Sequence, residues 1–70
     1  MTTIEDCQQL VGKYVVIDVE DTDGKFLLYG LLIQVDVPNT FPEPNIFTVS
    51  SSGMAAVRTY ISNINSIRGA

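Results

Sequence analysis

With 70 residues, 46 % of them hydrophobic and 17 % charged, the chain is too short for two domains and too apolar for disorder, so residues 1–70 are read as one folded domain. A single cysteine, Cys7, and the absence of histidine exclude an internal disulfide and a Cys/His metal site, which leaves association between copies to support a core that covers only about 60 % of the unfolded surface. Eight acids against four bases (Lys13, Lys25, Arg58 and Arg68) give a net charge of −4, which argues against binding double-stranded DNA, where affinity comes from many phosphate contacts.

The elements follow in chain order. Residues 3–11 are predicted as a short helix: Thr3 is the N-cap, Asp6 its capping-box partner, and Ile4, Cys7, Leu10 and Val11 share one face before Gly12 ends it. In residues 13–20, Val15, Ile17 and Val19 alternate with Val16, Asp18 and Glu20, the period of a half-buried strand. Asp21-Thr22-Asp23-Gly24 is a hairpin turn. Residues 25–36 form one long strand with Gly30 in its middle, where a glycine marks a bend or bulge. Both faces of that strand are apolar, which predicts burial on both, one of them against another subunit. Residues 37–45 hold Pro38, Pro42 and Pro44 and form a stiff exposed loop. A third strand at 46–50, a turn at 51–53, a fourth strand at 54–61, a tight turn at Ser62-Asn63 and a short last strand from Ile64 to Ala70 complete the chain. The expected fold is therefore mainly β: a short N-terminal helix at 3–11, then a strongly bent five-stranded antiparallel small barrel over 13–70.

The residues resemble the Sm-like family, the SH3-type small barrels of Sm and Lsm proteins and of the related bacterial RNA chaperone. The resemblance rests on Gly24, Phe26, Gly30 and Asp36, which look like that family's first motif, and on the tail Tyr60 to Arg68, which looks like its fourth strand, short turn and fifth strand. It spans roughly residues 3–69 and implies a homo-oligomeric ring in which the fourth and fifth strands pair across the subunit boundary. It departs from the family in three places: the spacing from the turn glycine Gly24 to the strand glycine Gly30 is one residue longer than usual, and two segments differ. Val37-Pro38-Asn39-Thr40 stands where a base-binding asparagine is usual, and Tyr60-Ile61-Ser62 stands where the bacterial branch has Tyr-Lys-His.

Catalysis finds no support in the residues. Cys7 has acids beside it, which raises a thiol's pKa, and reads as a small core residue. Ser50-Ser51-Ser52 lacks a candidate base and reads as a turn. Asp18, Glu20, Asp21 and Asp23 only echo a calcium loop, and the pattern with a terminal Glu is missing, so the reading is a solvated hairpin tip without metal or cofactor.

The residues expected to carry function are Arg58 and Arg68, whose planar forks suit phosphate. Tyr60 offers a stacking face, and Asn63 and Asn65 offer amide groups to a base edge. Across a ring boundary these five would line a shared pocket for a nucleotide-type anion, a small nucleotide or short RNA. The acidic net charge favours a small enclosed ligand over a polymer, and a phage or mobile-element protein that sequesters a small signalling molecule has such a design. The bland reading of both arginines is an ion pair with a neighbour. A different reading makes the chain a protein-interaction module. Phe41, held between Pro38 and Pro42, and the acidic hairpin with Asp21 and Asp23 would then dock a basic partner. No apolar run reaches the roughly 18 residues of a membrane span, the first residues carry no basic segment of a signal peptide, and a lone free cysteine fits a reducing compartment, so a cytoplasmic protein is expected.

Overall fold

The alternation of Val15, Ile17 and Val19 is realised in strand β1 (Tyr14–Asp21), where all three side chains lie on one face and are buried. The computed structural model describes residues 2–40, 43–50 and 55–70. Helix α1 (Ile4–Gln8) precedes β1, and β2 (Gly24–Asp36), β3 (Asn45–Val49), β4 (Val57–Tyr60), a single 3-10 turn (Ile61–Asn63) and β5 (Ile64–Gly69) follow it. The five strands form one sheet in the order β4-β3-β2-β1-β5, every neighbouring pair antiparallel.

Local chemistry places each joint. The β1–β2 hairpin closes at Asp21 and Gly24. Its tip is shaped by the Asp21 carboxylate, which accepts the Asp23 backbone amide at 2.8 Å, and by Gly24 at φ +128°, a region that glycine enters freely. Residues 24–31 of β2 pair with β1, and residues 31–36 pair with β3. Between Leu32 and Gln34 the register to β3 slips, leaving Ile33 as an extra residue. A second slip leaves Asn65 as the extra residue of β5 against β1. Such bulges bend and twist strands, and here they let one face of the sheet wrap a core. That core comprises Cys7 from α1, Val15, Ile17 and Val19 from β1, Leu32 from β2, Ile46 from β3, and Ile61 and Ile64 at the β4–β5 connection.

Several boundaries differ from the sequence reading. The helix expected at 3–11 ends at Gln8. Its start is as expected: the Thr3 hydroxyl accepts the Asp6 amide and the Asp6 carboxylate accepts the Thr3 amide, a complete capping box. Beyond Gln9 the amides of Leu10 and Val11 reach carbonyls only three residues back, those of Cys7 and Gln8, so the chain tightens out of the α-helix. Gly12, at φ +88°, then donates its amide to the Leu32 carbonyl at 2.8 Å. The fourth strand begins at Val57 among the described residues, and Ala55 and Ala56, expected within it, lie outside it, as small side chains give little to hold them in a strand; the expected start at 54 lies outside the described residues. Residues 61–63 wind as a 3-10 turn where the sequence suggested the end of a strand and a two-residue turn. The expected turn at 51–53 and Phe41 lie outside the described residues.

Burial of both faces of β2 is not found within one chain. On the outward face Leu27 is 72 % exposed and Tyr29 52 % exposed. Tyr29 stacks on Tyr14 of β1 with ring centroids 6.0 Å apart. No helix among the described residues is long and apolar enough to cross a membrane.

Candidate functional site

The five residues singled out from the sequence fall on β4, the 3-10 turn and β5. Arg58 and Tyr60 sit two apart on β4 and so share a face, opposite the buried Thr59. Arg58 is register partner to Phe47 of β3, and its guanidinium carbon lies 5.5 Å from the centre of that ring, a cation–π contact. Tyr60 is half-buried opposite Asn45. Asn63 is half-buried in the 3-10 turn. Asn65, the bulged residue of β5, donates its side-chain amide to the Glu20 carboxylate at 3.1 Å. Arg68, opposite Val16 of β1, is exposed.

Within one chain these residues do not make one pocket. β4 and β5 are the two opposite edges of the sheet. Arg58 and Arg68 both stand on the outward face, one at each edge, while Tyr60, Asn63 and Asn65 follow the connection between the edges. Neither arginine forms an ion pair among the described residues. Asp21 is spent on shaping the hairpin tip, and Asp23 beside it is exposed. Among the described residues no group of three or more Asp, Glu, Cys or His side chains is gathered as for a metal ion. Cys7 is fully buried; burial pushes its thiol pKa up, and the Asp6 carboxylate adds to the rise.

What the sequence reading missed is a groove of about 440 Å³ beside the β4–β5 connection. Its apolar lining is Ile4, Pro44, Ile61 and Ile64, and its polar lining is Thr2, Thr3, Glu43 and Ser62, of which Thr2 is buried. Two hydrogen bonds fasten one wall: the Ile61 amide donates to the Pro44 carbonyl at 3.1 Å, and the Ser62 hydroxyl donates to the Glu43 carboxylate at 2.7 Å. The other wall is the capped start of α1. These residues come from three stretches far apart in the chain, and no local spacing announces that they meet.

Comparison of the chain with family models, with curated proteins and with solved structures finds no match.

Proposed function

We propose that the chain is a non-enzymatic, Sm-like small barrel that assembles into a homo-oligomer through its two sheet edges and binds a nucleotide-type anion where the edges meet. The observation that carries this reading is the pairing state of β4 and β5. Each ends the sheet, neither pairs with the other, and each bears an exposed arginine on the outward face. An open edge presents a row of backbone donors and acceptors that a second chain can complete. Edge pairing that continues the outward face from β4 of one copy to β5 of the next sets Arg58 and Arg68 on one surface, with Tyr60 beside them.

Two guanidinium groups converge there without carboxylates of their own, and a phosphate or carboxylate accepts their forked donors. Arg58 is held over Phe47, so less side-chain freedom is lost when it binds. Exposed apolar residues on the outward face, Leu27 and Tyr29 foremost, also suit a chain that is not solitary. The acidic whole and the locally basic edge junction favour a small ligand, since a pocket concentrates a few charges where a polymer samples the whole surface field.

Native mass spectrometry of protein purified without refolding tests the reading in one measurement. The expected spectrum is a closed oligomer carrying a small anionic mass, with that mass lost from both Arg58→Ala and Arg68→Ala. A bare monomer, or a ligand retained by both variants, overturns it.

A further inference from the structure

We propose that the groove beside the capped start of α1 is a second binding site, for a short basic peptide segment of a partner protein that inserts an apolar side chain. The inference stands apart from the anion site at the sheet edges: it uses none of the arginines and needs no second copy.

The apolar lining is aliphatic. Ile61 and Ile64 are buried members of the core, and Ile4 and Pro44 are half-buried beside them. A volume of about 440 Å³ has room for a leucine- or phenylalanine-sized side chain with part of its backbone.

Charge decides the class of partner. Glu43 is the one ionisable side chain among the described lining residues, and its carboxylate is held by a hydrogen bond from Ser62. Two further carboxylates lie next to the lining without forming part of it: Asp6, fixed 3.0 Å from the amide of the lining residue Thr3, and Glu5, which follows Ile4 in the first turn of the helix. Lys13, Lys25, Arg58 and Arg68 line none of it. An apolar slot flanked by fixed carboxylates repels phosphates and anionic lipid, and it suits an apolar anchor flanked by Lys or Arg. Because Ser62 and the capping box hold both carboxylates in place, little ordering remains to be done on binding. The groove lies at the connection between β4 and β5 and takes from the two edge strands only Ile64, the first residue of β5.

The test is fluorescence polarisation on the full-length protein with two labelled hexapeptides, Lys-Lys-Leu-Phe-Lys-Lys and Glu-Glu-Leu-Phe-Glu-Glu. The basic peptide is expected to bind at least about tenfold more tightly, with the preference shrinking as salt rises. Glu43→Lys is expected to remove that preference, and Ser62→Phe, which fills the groove from an exposed position of its lining, to weaken the basic peptide about tenfold. Circular dichroism melts confirm that both variants are folded, and retention of the anion tested above separates this proposal from the edge-junction reading. Equal binding of the two peptides, no binding of either, or a basic-peptide affinity unchanged in both folded variants overturns the proposal.

Discussion

Gly30 of β2 lies against the backbone of Val49 at the end of β3: a β-carbon on Gly30 would fall 2.7 Å from the Val49 carbonyl oxygen and 3.2 Å from its carbonyl carbon. The obstacle is main chain, which cannot rotate aside as a side chain can. At this point β2 passes from its pairing with β1 to its pairing with β3, so the close approach is part of the bend that carries the sheet around its core. Gly30→Ala is therefore expected to destabilise the fold by about 1–3 kcal/mol, the cost of overpacking at a site with little give. Urea unfolding would show a lower midpoint at an unchanged slope. Gly24→Ala makes a useful contrast. It meets no atom within 4 Å, and its cost, about 1–2 kcal/mol, comes from φ +128° alone. A Gly30→Ala midpoint equal to the parent's would remove the close approach as the reason for glycine there.

The two faces of the β1–β2 hairpin make a second, opposed pair of predictions. Ile17 is fully buried, whereas Leu27 is 72 % exposed on the outward face. Ile17→Ala removes buried methyl groups from a small core and is expected to cost about 2–5 kcal/mol, enough to unfold much of a marginal domain at physiological temperature. Leu27→Ala is expected to stay within about 0.5 kcal/mol. Thermal melts of the two variants side by side decide the matter. A large loss for Leu27→Ala at low protein concentration would mean that its face is covered.

The same hairpin shows how far the sequence could be read and where reading stopped. The phase of β1 is legible because Val15, Ile17 and Val19 alternate with Val16, Asp18 and Glu20, two of them acids, and the hairpin because Asp23-Gly24 has few other uses. The capping box at Thr3 and Asp6 was legible for a similar reason: it is a local pattern with a local partner. The phase of β2 was not, since Leu27 and Leu28 are the same residue type and only the fold separates an exposed leucine from a half-buried one. Helix length is not legible in the sequence because Val11 fits a helical face by spacing, while the hydrogen bond from the Gly12 amide to Leu32, across the chain, takes the backbone elsewhere. Among the site residues, positions within β4 and β5 could be inferred. Their separation onto opposite edges depends on strand order, and the groove depends on Glu43 meeting Ser62.

Cys7 gives a prediction in pH. Burial, and then the Asp6 carboxylate, raise its folded pKa, so the native state keeps the proton to higher pH than the unfolded chain does. Stability from this group is fully present below the unfolded thiol's ordinary value of about 8.5. It falls as pH rises from there towards the folded pKa, because the unfolded state alone gains by ionising. Cys7→Ser is expected to lack this alkaline decline, though it is less stable at neutral pH through a buried hydroxyl. Alkylation by iodoacetamide at neutral pH should be slow in the native protein and fast in urea. Equal rates in the two states would contradict the burial of Cys7.

Asn45 supplies the last prediction. It is 2 % exposed, donates its side-chain amide to the Glu43 carbonyl at 3.1 Å, and has no partner for its side-chain oxygen among the described residues. Asn45→Asp keeps the shape but replaces the donor with a second oxygen, which meets the Glu43 carbonyl with like partial charge and carries a negative charge into a dry site. The expected loss at neutral pH is at least about 2 kcal/mol. Burial disfavours the ionised form, so the introduced carboxyl has a raised folded pKa. Its proton is taken up more readily in the native state than in the unfolded one. The deficit relative to the parent is therefore largest above that raised pKa, and shrinks as pH falls through it towards the unfolded carboxyl's range near 4. Asn45→Ala loses the same hydrogen bond without adding charge, and its deficit should be smaller and flat with pH. Urea midpoints for parent and both variants at pH 7.5 and pH 5 make the comparison. If the Asn45→Asp deficit is the same at both pH values, the carboxyl sits in water, and the strand pairing that buries Asn45 beside Tyr60 is wrong.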